Sequence, residues 1–546
     1  MAITTALSHV QGDADAPLSD QTISALLAET AMRFPDRLAV VFREQNLRWT
    51  WRAFQAEVEH FAAGLQTLGL QRGDRVGIWS PNRSEWLVTQ FATARLGLIL
   101  VNINPAYRLS ELEYALRVSG CRAIVSAEQL KSSKYLEMLD AVRPQLPALQ
   151  WIIRLGEGTT PGMLRYADVM ARGREVRIVD AALSCHDPIN IQFTSGTTGS
   201  PKGATLTHHN VVNNARFIAK AMNFSEADRL CIPVPMYHCF GMVLSVLACV
   251  STGAAMVFPG EAFDPGAALA AVAEERCTAL HGVPTMFIAE LAHPDFRTFD
   301  LSSLRTGIMA GSPCPIETMK QVVSEMHMTE ITIAYGMTET SPVSFQSSTT
   351  DPLERRVTTV GRIQPQLEAK VVDAEGAIVP RGVTGELCVR GYSVMQGYWQ
   401  DPARTAEVVQ DGWMHTGDLA TIDDEGYCNI VGRAKDMLIR GGENVYPREI
   451  EEFLFRYPKV QSVQVFGVPD AKYGEEICAW IVLKPGHTCT AEEVREFCRD
   501  QIAHYKIPRY IRFVDEMPMT VTGKFQKFVM RDRMVDELNL GVSKTA

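Results

Sequence analysis

Short apolar runs alternate with amphipathic helix patterns along most of this chain, and that alternation constrains its fold more than any other feature. Thr50 opens a helix pattern with Phe54, Val58 and Phe61 on one stripe, and the apolar run 76–79 follows it. Similar runs recur at 123–126, 278–282 and 331–334. Buried strands separated by helices are typical of parallel sheets. We therefore predict an α/β fold with largely parallel sheets.

The pattern changes in the last third of the chain, which indicates further structural units. From about Gly361, short strand patterns are separated by Gly, Pro and Asp turns, so we expect a small β-rich region there. A compact α+β segment follows, in which Thr490 and Glu493 form a capping box. A chain of 546 residues is too long for one core. We predict a loose arm at 1–20, a large N-terminal domain at 21–434 and a small, mobile α+β C-terminal domain at 435–546.

Composition excludes several functional classes. The net charge of −10 gives no reason to expect nucleic acid as a partner. The twelve cysteines are scattered singly without a C-x-x-C pair, which argues against a zinc site and against a disulfide framework. The first twenty residues lack a signal-peptide pattern, and apolar stretches such as 242–250 are too short to span a bilayer. We expect a cytoplasmic enzyme without a transmembrane segment, and a homodimer is left open.

The segment FTSGTTGSPKG at 193–203 follows an apolar strand pattern and has the composition of a phosphate-binding loop. Glycines allow close backbone approach, consecutive N–H groups bind anions, hydroxyls donate hydrogen bonds and a lysine adds charge. The segment is not a Walker A loop. A flexible linker is the alternative, but Pro-Lys-Gly after the glycines favours phosphate binding. The candidate nucleotide-binding residues are Thr194, Ser195, Gly196, Thr197, Thr198, Gly199 and Lys202.

This loop resembles the signature of the AMP-forming adenylating superfamily, which includes acyl-CoA synthetases, peptide-synthetase adenylation domains and beetle luciferases. Other motifs similar to that family occur in the expected order between residues 193 and 527. The resemblance implies a large N-terminal domain with a mobile C-terminal domain above the active site. It also implies ATP, Mg²⁺ and coenzyme A as substrates and cofactor.

Two motifs resemble the family's adenine and phosphate site. In AYGMTETSP at 334–342, the resemblance implies that Tyr335 stacks on adenine beside Gly336, that Thr338 contacts phosphate and that the catalytic Glu339 holds Mg²⁺. A carboxylate suits Mg²⁺, which prefers oxygen ligands. In AGSPCP at 310–315, Gly311 would allow close approach to adenine. A helix start with Thr338 as N-cap and a simple turn at Gly311 are the structural alternatives.

Further motifs resemble the ribose site and the hinge between the domains. In HTGD at 415–418, Asp418 would accept hydrogen bonds from the ribose hydroxyls, and in GRAKD at 432–436, Arg433 would also reach the ribose. Lys435 matches the family's hinge position. Taken singly, Asp418 or Arg433 is more often a member of a surface ion pair.

The last motifs resemble the coenzyme A passage and the catalytic lysine. In RGGENVYPRE at 440–449, Gly441, Gly442 and Glu443 would line the pantetheine path, and a glycine turn is the equal alternative. In TGK at 522–524, Lys524 would join Lys202 in neutralising the approaching carboxylate and phosphate. A solvated surface lysine is the alternative reading of Lys524.

The segment PMYHCFG at 235–241 matches the family's acyl site. His238 falls beside the reacting carboxyl group, and with Phe240 and Gly241 it would line the acyl pocket rather than act as a base, because a carboxylate needs no deprotonation to attack. A structural histidine is the alternative. The apolar stretch 236–244 suits an alkyl chain. The strings FTSGTTGSPKGATLTHHN and PMYHCFG most resemble medium-chain fatty acyl-CoA synthetases.

The sequence therefore predicts an ATP-dependent, AMP-forming carboxylate:CoA ligase that acts through an acyl-adenylate. A free-standing enzyme that loads a carrier protein, a ligase for an aryl or thioether acid, and a luciferase-like oxygenase remain as alternatives. A catalytically inactive scaffold would be expected to lose the charged site residues, which are all present: Lys202, Glu339, Asp418, Arg433 and Lys524.

Overall fold

A sheet of mainly parallel strands carries the predicted phosphate loop. The computed structural model describes residues 6–179, 182–194, 201–440, 443–470, 472–499, 501–520 and 522–540. The first sheet has the spatial order Leu164–Arg165, Trp151–Arg154, Ala123–Ser126, Arg75–Trp79, Ile99–Asn102, Pro188–Thr194, Lys202–Thr207 and Gly397–Tyr398. Its strands are parallel as far as Pro188–Thr194, which then pairs antiparallel with Lys202–Thr207. We call these two strands the phosphate hairpin.

A second sheet has the same mainly parallel character. Its order is Arg362–Ile363, Val343–Gln346, Glu330–Gly336, Thr306–Ala310, Ala279–Gly282, Arg229–Cys231, Ala255–Phe258, Leu38–Phe42 and Leu47–Thr50. The strands from Glu330–Gly336 to Leu38–Phe42 run parallel, and the edge pairs are antiparallel. The alternation of strands and helices in the sequence thus produces the predicted α/β fold.

Helices pack on both sheets, and their apolar stripes form the core between them. Thr50 caps Trp51–Thr67 by accepting a hydrogen bond from Ala53 N at 3.2 Å, and Phe54 and Phe61 of that helix are fully buried. The α-helices of this part are Ile23–Arg33, Trp51–Thr67, Ser84–Leu96, Leu109–Ser119, Tyr135–Val142, Tyr166–Arg174, His208–Ala221, Ala248–Thr252, Pro265–Glu275, Pro284–Leu291, Ile316–Glu325, Leu353–Thr358 and Pro402–Val408. A π-helix spans Phe240–Leu247.

A third, antiparallel sheet forms the β-rich region. Its order is His9–Gln11, Leu367–Val372, Gly385–Gly391, Trp413–Ile422 and Val409–Gln410, and Cys428–Arg433 also pairs with Trp413–Ile422. The first strand differs from the loose arm that the sequence predicts for residues 1–20. His9 pairs with Lys370, and Ser8 N donates to Val379 O at 2.8 Å, so backbone hydrogen bonds fix this segment as an edge strand.

The C-terminal part folds around its own sheet and core. The sheet has the order Glu443–Val445, Leu438–Arg440, Gly474–Leu483 and Val460–Asp470, with Tyr510–Phe513 parallel to Gly474–Leu483. Its helices are Pro447–Phe455, Ala491–Cys498 and Lys527–Glu537. The predicted capping box is present, since Glu493 N donates to Thr490 Oγ1 at 3.2 Å and Thr490 N donates to Glu493 Oε2 at 2.7 Å. The predicted α+β unit is therefore confirmed, while its boundary at residue 435 stays a prediction.

Two of the contacts between the described residues of the C-terminal part and the N-terminal part bear on the site. The Arg448 guanidinium donates to the carbonyl oxygen of Ile430, and the Thr285 hydroxyl lies 3.5 Å from the carbonyl oxygen of Gly523. The second contact places the loop before Lys524 against the start of Pro284–Leu291. Within the described part of the chain, no helix is both long and apolar enough to cross a bilayer.

Candidate active site

The phosphate hairpin brings Thr194 and Lys202 directly opposite each other at the base of the predicted loop. The loop residues Ser195, Gly196, Thr197, Thr198 and Gly199 lie outside the described residues. The Thr194 hydroxyl donates to Glu339 Oε1 at 3.2 Å. The first sheet and the second sheet therefore meet at the predicted phosphate and metal residues.

Glu339 lies in a short 3₁₀ helix, Thr338–Thr340, directly after the second-sheet strand Glu330–Gly336. It is only 5% exposed, and the Tyr398 hydroxyl donates to its Oε1 at 3.0 Å. Both described hydrogen bonds reach Oε1, so Oε2 can still accept a ligand. A buried carboxylate beside the phosphate hairpin fits the oxygen-donor chemistry of Mg²⁺.

Tyr398 connects Glu339 to Lys202. Its ring centroid lies 5.1 Å from the Lys202 ammonium group, which is within the range of a cation–π contact. Burial and the Glu339 carboxylate raise the pKa of the Tyr398 phenol, so it donates as a neutral hydroxyl. Sequence reasoning missed Tyr398 because it lies far from the recognised motifs. The pairing of Tyr398 with Ala204, in a strand next to the phosphate hairpin, brings it to the site.

Asp418 and Arg433 face each other across an antiparallel strand pair in the third sheet. Arg433 Nε lies 3.2 Å from Asp418 Oδ1, and the Tyr335 hydroxyl donates to Oδ2 at 2.6 Å. Burial and Asp418 raise the pKa of the Tyr335 phenol. Each carboxylate oxygen can accept more than one hydrogen bond, so Asp418 retains acceptor capacity for a ligand. The predicted adenine and ribose residues are thus in contact.

Glu386 is a second residue that sequence reasoning missed. Its Oε1 accepts from Gly417 N at 3.1 Å and its Oε2 lies 2.9 Å from His415 Nδ1. The Thr416 hydroxyl also bonds back to this strand, donating to Leu387 O at 2.7 Å. These contacts fix the turn that presents Asp418. The alternation of the strand Gly385–Gly391 gives no sign of this role.

Lys524 comes from the C-terminal part and is half-buried among the charged residues of the site. Burial and the charge of Arg433 lower the pKa of its ammonium group, while Asp418, Cys239 and Glu339 act in the opposite direction. Lys524 is held in a tight turn, because Thr520 N donates to Lys524 O at 2.8 Å and Lys524 N donates to Thr520 Oγ1 at 3.1 Å. The structure thus brings Lys524 to the other predicted site residues.

Two glycines allow close approach around Val283. Gly311 has φ +92°, and a Cβ atom there would lie 3.1 Å from Val283 Cγ1. Gly523 has φ +76°, and its Cβ atom would lie 2.8 Å from Val283 Cγ2 and 2.9 Å from Thr285 Oγ1. Gly336 packs against its own chain, with the Pro342 carbonyl oxygen where a Cβ atom would be. The glycine loop before Lys524 therefore fits its partner because it has no side chain.

The predicted acyl-site residues line one apolar segment next to Lys524. His238 Nδ1 accepts from Phe240 N at 3.2 Å, and burial together with the charge of Lys524 lowers the His238 pKa to about 3. The ring is therefore neutral at pH 7. Phe240 begins the π-helix and is 5% exposed, and a Cβ atom on Gly241 would lie 2.4 Å from Pro235 O. π-Helical segments are frequently found at functional sites.

The remaining predictions concern the coenzyme A path and the hinge. Gly441 and Gly442 lie outside the described residues, and Glu443 pairs with Arg440 on an exposed strand of the C-terminal sheet. Lys435 lies in the 3₁₀ turn Ala434–Asp436, where burial and Arg433 lower its pKa. The coenzyme A and hinge assignments therefore stay predictions.

Comparison with known proteins finds matches along most of the chain. The model of the AMP-binding enzyme family matches residues 27–399, and that of the AMP-binding enzyme C-terminal domain matches residues 449–524. YngI of Bacillus subtilis is 49% identical, covering 97% of this chain and 100% of that protein. The chain is also 47% identical to the mitochondrial medium-chain acyl-CoA ligase ACSF2 of Danio rerio, and the match covers 98% of this chain and 92% of that protein.

A solved structure shares the architecture as well. Anthranilate CoA ligase AuaEII, solved in complex with anthranoyl-AMP, superimposes with a TM-score of 0.89 at 30% identity, covering 96% of this chain and 99% of its own. These matches support the large N-terminal α/β domain and the small C-terminal domain described above.

We predict that Glu386→Ala weakens AMP binding about 10-fold. The substitution removes two hydrogen bonds of roughly 1 kcal/mol each from the turn that presents Asp418. Isothermal titration calorimetry with AMP measures the effect, and Glu375→Ala, an exposed glutamate in a turn of the same sheet, is the control. Equal AMP affinity in the two variants would contradict the positioning role of Glu386.

Proposed function

The chain belongs to the AMP-binding enzyme family, and we propose that it is an ATP-dependent, AMP-forming carboxylate:CoA ligase. The observation that carries the proposal is the position of Lys524, which comes from the C-terminal domain and lies close enough to Glu339, Asp418 and Arg433 for their charges to act on the pKa of its ammonium group. A cation held among these residues suits a reaction in which two anions must approach each other.

The first half-reaction forms an acyl-adenylate. A carboxylate oxygen of the acid attacks the α-phosphorus of ATP, a new P–O bond forms, and the bond to pyrophosphate breaks. Lys524 and Lys202 offset the negative charge that concentrates as the carboxylate approaches the phosphates. His238 is neutral at pH 7 and contacts this region without taking a proton, because the attacking carboxylate carries none.

ATP binding uses the residues of the two sheets together. The Tyr335 ring packs on adenine, with Gly311 and Gly336 at its edge, and Asp418 and Arg433 bind the ribose hydroxyls. Thr338 and the loop at the tip of the phosphate hairpin bind the phosphates. Glu339 would hold Mg²⁺, which supplies neutralisation of phosphate charge when bound.

The second half-reaction transfers the acyl group to coenzyme A. The thiolate attacks the acyl carbon, a thioester forms, and AMP leaves with the electron pair of the broken C–O bond. Rotation of the C-terminal domain about Lys435 removes Lys524 from the site and opens a path for the pantetheine arm past Gly441, Gly442 and Glu443.

The acid is a fatty acid of medium chain length. The relative from Danio rerio is named a medium-chain acyl-CoA ligase, and at 47% identity its substrate class is the best available guide. Apolar side chains next to His238 suit an alkyl chain, since Met236, Phe240 and Met242 are buried there. An aromatic acid is the second candidate, because the solved relative is named an anthranilate CoA ligase.

We place the enzyme in the cytoplasm. Its twelve cysteines are free thiols and all but Cys489 are buried, as in proteins of reducing compartments.

We predict that medium-chain fatty acids give the highest kcat/KM in a panel of short-, medium- and long-chain fatty acids, aryl acids and amino acids. Pyrophosphate release and thioester formation are measured in parallel, with coenzyme A or a phosphopantetheinylated carrier protein as acceptor. Pyrophosphate release that never leads to an acyl-CoA would contradict the ligase assignment. A preference for aryl acids would change the proposed substrate and leave the ligase assignment in place.

We predict that Lys524→Ala slows acyl-adenylate formation roughly 100- to 1,000-fold while thioester formation from supplied acyl-AMP continues. The reason is that adenylation would use Lys524 in the orientation seen here, whereas thioester formation would follow its removal from the site by the proposed rotation. Lys484→Ala, an exposed lysine of the same domain, is the control and should leave both steps unchanged. Equal loss of both half-reactions in Lys524→Ala would contradict its assigned role.

We predict that Gly523→Ala slows acyl-adenylate formation roughly 100-fold, because the added Cβ atom would displace the Lys524 loop from Val283 and Thr285. Gly486→Ala is a matched control. Gly486 also has a positive φ, of +78°, but nothing lies within 4 Å of an added Cβ atom. Both variants therefore carry backbone strain, and only Gly523→Ala affects the contact between domains. Equal rates in the two variants would show that this contact does not position Lys524.

A further inference from the structure

A cluster of metal-binding side chains lies at the end of the phosphate hairpin that is remote from its loop. Cys185, His186 and His209 each offer one ligand atom, and these atoms all lie within 4.8 Å of one another. Asp20 Oδ1 lies 3.9 Å from Cys185 Sγ. We propose that these four side chains bind a zinc ion.

A closed turn holds the first two ligands in place. Asp187 N donates to Ser184 O at 3.0 Å, and Ser184 N donates back to Asp187 Oδ2 at 3.0 Å, so Cys185 and His186 occupy the two central positions of a β-turn. Arg72 Nη2 donates to Asp187 at 2.6 Å and anchors the turn. The side chains of adjacent residues point to opposite faces of a strand. In this turn, the side chains of Cys185 and His186 can both approach His209.

The third ligand is fixed by the first turn of the helix His208–Ala221. His209 N donates to Cys185 O at 2.7 Å, which joins this helix to the turn. The Asn213 amide nitrogen lies 2.9 Å from His209 O and 3.3 Å from its ring nitrogen Nδ1. The His209 ring is thus held beside Cys185 by contacts that do not depend on a metal.

The same asparagine positions the fourth ligand. Ser19 N donates to Asn213 Oδ1 at 2.7 Å, and Asn213 Nδ2 donates to Ser19 O at 2.9 Å. This paired contact fixes the backbone immediately before Asp20. Three distant segments of the chain, at residues 19–20, 184–187 and 208–213, therefore meet around Cys185.

The donor set matches zinc in type, number and charge. Zinc binds sulfur, imidazole nitrogen and carboxylate oxygen in four-coordinate sites, whereas Mg²⁺ and Ca²⁺ select oxygen donors. One thiolate, one carboxylate and two neutral imidazoles balance the +2 charge. Cys185 is buried while His186 and Asp20 are exposed, which leaves a path for the ion to reach the thiol.

The other cluster of this kind in the described ranges is less suited to a metal. There, His415 Nδ1 lies 2.9 Å from Glu386 and 3.5 Å from Cys388 Sγ, so the groups already bond to one another. These residues also support the turn that presents Asp418. The sequence argued against a zinc site because it contains no C-x-x-C pair. A site whose ligands come from three distant segments of the chain has no short sequence motif that would reveal it.

The inferred ion fastens the N-terminal segment to the base of the phosphate hairpin. The strand Pro188–Thr194 separates Cys185 from Thr194, a distance of about 20 Å for an extended strand of this length. The ion is therefore structural and remote from the chemistry. Its presence or absence is independent of the proposed ligase activity.

Titration of the metal-stripped full chain with Co²⁺ tests the inference. We expect one equivalent to give a thiolate-to-cobalt charge-transfer band and the visible bands of a tetrahedral site, and Zn²⁺ to displace it. Cys185→Ser should abolish the charge-transfer band, and His209→Gln should weaken binding at least about 10-fold. Zn²⁺ should also protect Cys185 from alkylation in the native chain.

Two controls separate this site from other binding. Cys489→Ser removes the partly exposed cysteine of the C-terminal domain and should keep the band. Glu339→Gln should also keep it, which excludes the nucleotide site as its source. Circular dichroism establishes that Cys185→Ser is folded. A missing thiolate band in the native chain, or an unchanged band in folded Cys185→Ser, would overturn the proposal.

Discussion

The buried carboxylate of Glu339 is the interaction on which the rest of the site depends. A carboxylate that is 5% exposed is stable only when it is hydrogen-bonded. Its partners Thr194 and Tyr398 both belong to the first sheet, whereas Glu339 follows a strand of the second sheet. The buried Glu339 carboxylate thus joins the two sheets at the place where their ligand-binding ends meet. The base of the phosphate hairpin, at Thr194, is fixed by this junction.

The contact between the two domains depends on the balance of charge around Lys524. Lys524 is partly desolvated beside Arg433, and both effects disfavour its ammonium form. Asp418 is shared with Arg433 and Tyr335, so it compensates this cost only in part. The phosphates of a nucleotide would supply the missing negative charge. The docked orientation and the bound substrate therefore stabilise each other, as expected for an enzyme in which one domain completes the site of another.

Much of the fold follows from local pattern, while parts of the site do not. The apolar run 331–334 lies inside the strand Glu330–Gly336, and the capping box at Thr490 is present, because alternation and capping are properties of neighbouring residues. Tyr398 and Glu386 reach the site through strand register, and His9–Gln11 becomes a strand only through its distant partner. Asp20 and His209 approach Cys185 in the same non-local way. Motifs indicate which residues react, but pairing decides which residues support them.

Gly523 has a consequence for the rotation that we propose for the C-terminal domain. Where glycine backbone rests on Val283 and Thr285, separation needs no interlocked side chains to change rotamer. The charges around Lys524 then add to the close fit in holding the loop, and charge interactions between accessible groups weaken as salt rises. Charge interactions would therefore help to hold this contact, while little side-chain repacking would be needed to separate it. Raising the ionic strength would then shorten the time that the proposed closed orientation lasts.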